Sequence, residues 1–428
     1  MSILRGLIGL VVLVGIAWCV SSNRKRTPWK LIGIAIGMQI VLGMFLIQWD
    51  LGNDMVQAMS DGMTRLLSFS QKGAEFVFGD VENFPGGKPG LAFRSLPTII
   101  FFSCLMAILY HLGIMQLVVW LMAQVMTRLL RVSGAEAMAM AANVFVGQTE
   151  APLVVRRFLP KMTTSEINSL MTGGFATVAG SVLAAYIGFF SDAGGTEYIP
   201  HLLIASVMSA PAAFAISKII LPETEPTQTG QTMSLKTEKT AGNLLDAATT
   251  GVTEGLSLYL NVVAMLLAFV ALVHLVDWPL EAIGNRFEIE GGLSLSRLFG
   301  WVFAPISYAM GVAWEDATRF GALLGTKIGL NEFMAFLELQ QEITYNLHPE
   351  QMEGKGVTHA MSKKSLFMAT YALCGFANFA SVGIQIGGIA PIIPERRKEI
   401  IKLAMKAMIG GALASWMTAT IAGMFFSA

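Results

Sequence analysis

Eight apolar segments, each of about 20 residues, constrain the fold of this 428-residue chain more than any other feature. They lie at residues 3–20, 29–49, 92–113, 166–190, 201–221, 257–276, 365–391 and 400–426. Only helices and closed barrels satisfy their own backbone polar groups inside a bilayer. Charged residues make up 14% of the chain, against roughly 25% in soluble domains. The sequence therefore predicts an all-α polytopic membrane protein with about eight transmembrane helices.

The rest of the composition excludes several other classes of protein. Lys plus Arg and Asp plus Glu are both 29, which gives no indication of a nucleic-acid partner. The three cysteines fall in apolar segments without a CxxC pair, so neither disulfides nor a zinc site is predicted. Residues 3–20 are interpreted as a retained helix rather than a signal peptide, because no small-x-small cleavage pattern stands near Cys19.

Basic residues indicate the orientation in the membrane, because cytoplasmic loops are enriched in Lys and Arg. Their clusters fall on one side if both termini are outside: Arg24, Lys25, Arg26, Lys30, Arg128, Arg131, Arg156, Arg157, Lys161, Lys236, Lys239, Arg396, Arg397 and Lys398. The opposite side carries Asp50, Asp80, Glu82, Asp192, Glu197, Asp277 and Glu281, and Lys355, Lys363 and Lys364 weaken the pattern without reversing it. Residues 51–90 predict an amphipathic interfacial helix followed by a turn at 85–89, and residues 222–242 a cytoplasmic linker.

Two apolar regions, 134–160 and 313–343, are each broken by a short polar stretch that contains a carboxylate. Gly147-Gln148-Thr149-Glu150 interrupts the first and Gly329-Leu330-Asn331-Glu332 the second, with Thr149 and Asn331 as candidate helix caps. Gly174-Phe175-Ala176-Thr177 follows the first break and Gly375-Phe376-Ala377-Asn378 the second. The sequence therefore predicts two re-entrant helical hairpins in an inverted repeat, a pattern that points to a secondary-transporter site.

The breaks carry side chains suited to a polar ligand and to a cation. Glu150 and Glu332 would each cost roughly 2.5–3.5 kcal/mol in hydrocarbon, so we expect them to face a hydrated pocket. A carboxylate suits a polyhydroxylated ligand, and the Gln148 amide suits a nucleobase edge; capping of their own helices is the structural alternative for both carboxylates. If the first helix ends at Gly147, the carbonyls of residues 143–146 are free for a hard cation, and the Asn143 and Thr177 side chains can complete an oxygen shell for sodium.

Other motifs fail. Gly321 to Lys327 resembles a P-loop only faintly, because its spacing is wrong and Ile328 follows the lysine. No His-Glu-x-x-His motif or serine nucleophile elbow occurs. An intramembrane hydrolase with Glu150 and Glu332 as an acid–base pair is the remote alternative, and it lacks a nucleophile. We therefore predict that the protein is not an enzyme and needs no cofactor.

Three motifs together resemble the concentrative nucleoside transporters of the bacterial, sodium-coupled type. They are Gly147-Gln148-Thr149-Glu150-Ala151-Pro152-Leu153, Asn331-Glu332-Phe333 and Cys374-Gly375-Phe376-Ala377-Asn378-Phe379-Ala380-Ser381. The resemblance covers nearly the whole chain. It implies sodium-coupled symport of uridine-like and other nucleosides into the cell by alternating access, in an inner-membrane homotrimer. A proton-coupled nucleoside symporter remains the nearer alternative.

The resemblance also implies roles for individual residues. The nucleobase would contact Gln148, Thr149 and Glu150, and Val182 and Phe376 would pack against the nucleoside. Glu332, Asn378 and Ser381 would hold the ribose. The sodium site would be formed by Asn143, Val146, Thr177 and Val178.

Six regions are expected along the chain. Residues 1–91 would form N-terminal scaffold helices and the interfacial helix, and 92–131 a scaffold span and an amphipathic helix. Residues 132–200 would form hairpin 1 and a broken span 4, and 297–395 hairpin 2 and a broken span 7; both belong to the transport region. Residues 201–296 would contain spans 5 and 6 with the linker, and 396–428 the C-terminal span.

Overall fold

A computed structural model describes residues 2–79, 90–230, 242–289, 292–352 and 359–426. All regular structure in these ranges is helical, which confirms the predicted all-α fold. Asp80, Glu82, the turn at 85–89, Lys236, Lys239, Lys355 and half of the linker lie outside the described residues.

Three helices precede the repeated part of the chain: α1 (Ser2–Cys19), α2 (Trp29–Gly43) and α3 (Asp50–Phe78). A π-helical turn, Met44–Gln48, extends α2. Gly52 allows the sharp turn into α3, because a Cβ there would lie 1.9 Å from the Phe45 carbonyl oxygen. Within the described residues, α3 covers the predicted interfacial helix up to Phe78.

The first half of the repeat follows. Its helices are α4 (Leu91–Arg94), α5 (Thr98–His111), α6 (Ile114–Leu130), α7 (Gly134–Asn143), α8 (Ala151–Val154), α9 (Thr164–Ala176), α10 (Gly180–Asp192) and α11 (Ile199–Ile220). Gly113, with φ of +83°, makes the turn between α5 and α6. The α7–α8 pair is hairpin 1, and α9 and α10 are the two parts of one interrupted helix.

The second half has the same order of elements. Its helices are α12 (Leu244–Arg286), α13 (Leu295–Met310), α14 (Trp314–Gly329), α15 (Glu332–Leu347), α16 (Lys363–Leu373), α17 (Phe379–Ile389) and α18 (Arg397–Met424). The α14–α15 pair is hairpin 2, α16 and α17 form the second interrupted helix, and α18 is continuous like α11. The repeat predicted from two short motifs thus extends over whole groups of helices.

Two elements differ from the predicted spans. The span at 257–276 is part of the 43-residue α12, which begins at Leu244 directly after the Asn243 cap. The prediction missed α13, whose 16-residue apolar run falls short of a full crossing and contains Pro305. By length and composition, six helical stretches of the described chain can cross a membrane, and three shorter apolar helices accompany them.

The core lies around the interrupted helices α9–α10 and α16–α17 and the continuous helices α11 and α18 that follow them. In the most apolar stretch of α11, 89% of the residues are buried inside the chain. In the most apolar stretch of α12, 6% are buried. Small residues bring α13 and α14 close together: a Cβ at Gly300 would lie 2.7 Å from the Thr318 carbonyl oxygen. The hairpins and breaks are therefore held inside the bundle, whereas α12 exposes its apolar face.

Candidate functional site

The first helix of hairpin 1, α7, begins at a capping box and ends earlier than predicted. A capping box of Ser133 and Glu136 starts α7. The helix ends at Asn143 rather than at Gly147. The reason is tertiary: the Val144 carbonyl accepts from the Ser206 hydroxyl at 2.9 Å and the Phe145 carbonyl from the Gly180 amide at 2.9 Å. Two of the four carbonyls expected to be free therefore have partners.

The tip of hairpin 1 is a turn rather than a helix start. Oε2 of Glu150 accepts from the Gly147 amide at 2.5 Å, so this carboxylate closes the turn while the residue stays exposed. Thr149 does not cap the short α8, which contradicts the expectation for that residue. Gln148 is buried, and its Oε1 has no hydrogen-bond partner among the described residues.

The residues predicted for sodium surround the end of α9. Asn143 donates through Nδ2 to the Leu170 carbonyl at 3.2 Å, which leaves its buried Oδ1 without a partner in the described chain. Thr177 leaves the helix in extended backbone and donates to the Gly173 carbonyl at 2.8 Å, with its lone pairs still available. The carbonyls of Asn143, Val146 and Val178 accept no hydrogen bond from described residues outside the helices. This is an oxygen-rich, carboxylate-free set suited to a singly charged hard cation.

Hairpin 2 brings three of the predicted ligand residues into one network. Asn331 caps α15 by accepting from the Met334 amide at 2.9 Å. Oε2 of Glu332 accepts from Nδ2 of Asn378 at 2.5 Å, and Oδ1 of Asn378 accepts from the Ser381 amide at 2.7 Å. Glu332, Asn378 and Ser381 are all buried. Because a carboxylate accepts more than one hydrogen bond, Glu332 keeps capacity for a ligand hydroxyl.

The two interrupted helices meet at their breaks. Gly375 has φ of +118°, and a Cβ there would lie 2.7 Å from the Phe175 carbonyl oxygen and 2.9 Å from that of Ala176. Only glycine fits at this crossing. The helix end that carries the sodium candidates thus touches the break that carries Asn378.

Each hairpin packs against the interrupted helix of the other half. At the tip of hairpin 1, Thr149 Cγ2 lies 2.6 Å from the ideal Cβ position of Gly388 in α17. In hairpin 2, Phe336 stacks on Tyr186 of α10 with ring centroids 4.0 Å apart, and Phe333 meets the same ring edge-on at 5.2 Å. Residues from both halves therefore form one continuous region around the crossing.

Two residues of this region were missed by the sequence analysis. Gln385 is fully buried, donates to the Met171 carbonyl at 3.0 Å and leaves its Oε1 unpartnered among the described residues. Tyr186 is fully buried between the hairpin 2 aromatics. A polar amide in the apolar run of α17 was a usable signal for Gln385, whereas Tyr186 looked like an ordinary membrane aromatic. The predicted packing residues Val182 and Phe376 are both buried.

Family comparison agrees with this arrangement. The family described as "Na+ dependent nucleoside transporter C-terminus" matches residues 201–423, and the corresponding N-terminus family matches 8–81. A family described as "Nucleoside recognition" matches residues 92–193, which contain hairpin 1 and α9–α10.

Individual proteins show the same likeness. The chain is 38% identical to sodium/nucleoside cotransporter 1 of Rattus norvegicus over 98% of its length, and it spans 63% of that longer protein. It is 37% identical to the uncharacterized transporter YutK of Bacillus subtilis, with 99% of this chain and 100% of YutK covered. The solved structure of CNTnw in an inward-facing substrate-bound state superposes with a TM-score of 0.89 at 37% identity, over 99% of each chain. The chain is therefore a multi-pass membrane protein that belongs to the family of Na+ dependent nucleoside transporters.

Proposed function

We propose that this protein is a secondary active transporter that carries nucleosides into the cell together with sodium, by alternating access. One observation carries the proposal: the two interrupted helices cross at their breaks, and buried polar atoms around this crossing have no partner among the described residues. Such atoms are stabilised when a ligand or ion supplies the missing contacts. The solved relatives in inward- and outward-facing states support alternating access.

Sodium binds between hairpin 1 and the end of α9. Oδ1 of Asn143, the Thr177 hydroxyl and the carbonyls of Val146 and Val178 supply neutral oxygens at a helix C-terminus, where partial negative charge favours a cation. Removal of sodium leaves these oxygens unsatisfied. Sodium binding and the ordering of the hairpin 1 tip therefore support each other.

The nucleoside binds on the other side of the same tip. Gln148, Thr149 and Glu150 contact the base, and Val182 and Phe376 pack against the nucleoside. Glu332, Asn378 and Ser381 hold the ribose hydroxyls, consistent with their hydrogen-bonded network. Because one hairpin tip faces both ligands, binding of one pre-orders the site for the other, which gives symport a physical basis.

The chain divides into a scaffold and a moving transport region. Hairpin 1 with the broken span 4 (132–200) and hairpin 2 with the broken span 7 (297–395) form the transport region. Residues 1–91, 92–131, 201–296 and 396–428 form the scaffold and linker. The protein is a homotrimer in the inner membrane with both termini outside and re-entrant hairpins of opposite orientation; the positive-inside pattern and the exposed apolar face of α12 support this arrangement.

Uptake of labelled uridine into proteoliposomes tests the function. We expect accumulation with an inward sodium gradient and none with equal sodium on both sides or in protein-free liposomes. A pH gradient without sodium is the decisive comparison: uptake under that condition alone would identify a proton-coupled symporter instead. Uptake that is independent of any gradient would contradict coupling altogether.

Asn143→Ala tests the sodium site in the same vesicles. Loss of the unpartnered Oδ1 should raise the sodium concentration for half-maximal uptake at least tenfold, because about 1.4 kcal/mol of lost binding energy gives that factor. Asn168→Ala is the matched control, since Asn168 is also buried on this bundle and bonds a backbone carbonyl, that of Ser217, away from the break. An unchanged sodium requirement in Asn143→Ala would contradict the site.

A further inference from the structure

Lys327 is a buried ammonium without a carboxylate partner. It lies in the last turn of α14, and its exposed fraction is 0%. None of the ion pairs among the described residues includes it. A buried charge is costly unless it is paired or fully coordinated. Its position therefore demands a compensating set of contacts.

Three neutral oxygens provide that set. Nζ of Lys327 donates to the Ala372 carbonyl at 2.9 Å, to the Cys374 carbonyl at 3.3 Å and to Oγ of Ser415 at 2.9 Å. The two carbonyls stand where α16 ends and the second break begins. Neither accepts another hydrogen bond from described residues outside the helices. Carbonyls at a helix C-terminus together with a hydroxyl are the ligands that a hard cation prefers.

The first half of the repeat has the corresponding place without an ammonium. Lys327 stands two residues before Gly329 of the hairpin 2 tip, as Phe145 stands two residues before Gly147 of the hairpin 1 tip. In each half, the first arm of the hairpin contacts the first part of the interrupted helix: Asn143 donates to the Leu170 carbonyl in the middle of α9, and Lys327 donates to the Ala372 carbonyl at the end of α16. In each half, a serine of the following continuous helix joins the contact: Ser206 of α11 and Ser415 of α18. By the shared Gly-Phe-Ala motif, Ala372 and Cys374 correspond to Met171 and Gly173, whose carbonyls accept from the neutral donors Gln385 and Thr177.

We propose that Lys327 is a tethered cation at the second break, where it holds carbonyls whose counterparts at the first break are held by neutral donors. This assignment rests on the proposed function, since that function places the ribose at Glu332. Lys327 then fixes α14 to α16 and α18 without an ion from solution. Because Glu332 follows only five residues later at the hairpin 2 tip, Lys327 is a positioning residue for the ribose-binding network.

Two substitutions of Lys327 distinguish the effect of its charge from the effect of its volume. Lys327→Ala removes the charge and leaves space, whereas Lys327→Met removes the charge and fills the space. At saturating sodium, both should lower uridine affinity in calorimetric titrations by roughly tenfold to hundredfold, as expected when buried groups lose a charged hydrogen-bonding partner. Methylammonium should restore binding and raise the thermal midpoint of Lys327→Ala only. Choline chloride at equal ionic strength, too large for the space, is the control.

The opposite results are equally clear. Wild-type affinity in Lys327→Met, or no effect of methylammonium on folded Lys327→Ala, would overturn the assignment. If neither variant folds, Ser415→Ala decides: a few-fold loss of uridine affinity at unchanged sodium half-saturation supports the proposal, and unchanged uridine affinity contradicts it. A wild-type protein that takes up no uridine contradicts the proposed function instead, and the methylammonium effect on the thermal midpoint of Lys327→Ala still tests the tethered cation.

Discussion

Glu332 shows how one buried carboxylate can serve both folding and binding. It stands at the first position of α15, where a negative charge is favourable next to the helix N-terminus. It also accepts a hydrogen bond from the side-chain amide of Asn378 at the second break. The helix N-terminus explains why a buried negative charge is tolerated at Glu332. The remaining hydrogen-bond acceptor capacity of the carboxylate explains how it can bind a ligand hydroxyl.

Glu332→Gln should separate these two roles. The amide keeps the size of the side chain but removes the charge and one acceptor, so we expect the uridine concentration for half-maximal uptake to rise roughly tenfold to hundredfold. The thermal midpoint should change little. Glu315→Gln, an exposed position in the first turn of α14, is the control and should leave uptake unchanged. Equal uridine affinity in both variants would contradict a role of Glu332 in binding.

At the scale of elements, the crossing of the two interrupted helices is a tight steric constraint on the site. Gly375 combines a positive φ with carbonyl oxygens of the other break in the space that a Cβ would occupy. A side chain there must displace backbone rather than a flexible group. The two breaks are therefore coupled by contact as well as by the ligands that they share.

Gly375→Ala should weaken both halves of the site together. The strained backbone and the close carbonyls should cost about 1–3 kcal/mol, seen as a lower thermal midpoint. Uridine affinity and sodium affinity should fall in parallel. Gly37→Ala in α2 is the matched control, because its Cβ would meet nothing within 4 Å and alanine favours a helix. If only one of the two affinities falls, the breaks are not coupled in this way.

The sequence was sufficient for features that leave a local signal. The Gly-x-(Thr/Asn)-Glu tips and the repeated Gly-Phe-Ala motif correctly indicated two breaks and their order, because breaks require polar residues in an apolar background. The end of α7 at Asn143 was not predictable, since it depends on Ser206 and Gly180 from later in the chain. The role of Lys327 was not predictable either, because its carbonyl partner Ala372 lies 45 residues away; Gln385 left a local signal, but its partner lies 214 residues away.

At the scale of the whole molecule, the distribution of burial separates the centre from the periphery. The continuous helix α11 and the interrupted helix α9–α10 are largely enclosed, whereas α12 presents leucines along its length to the outside. Exposed side chains on α12 include Leu245, Leu260, Leu267 and Leu275. Such a surface fits contact with lipid or with the neighbouring subunits of the proposed trimer.

The proposed trimer predicts a defined assembly in mild detergent. Native mass spectrometry should give a dominant species of three times the chain mass, with uridine binding retained. A charged pair of substitutions on α12, Leu260→Glu and Leu267→Glu, should shift the distribution to single chains if this surface lies between subunits. A fully active monomeric wild type would contradict the trimer.

The length of α12 has a geometric consequence for the membrane. At 1.5 Å per residue, its 43 residues measure about 65 Å, roughly twice the hydrocarbon thickness. Exposed apolar side chains run from Leu244 to Ile283, a stretch of about 60 Å. The helix is therefore longer than an upright crossing needs, so it inclines from the membrane normal or extends beyond the hydrocarbon region.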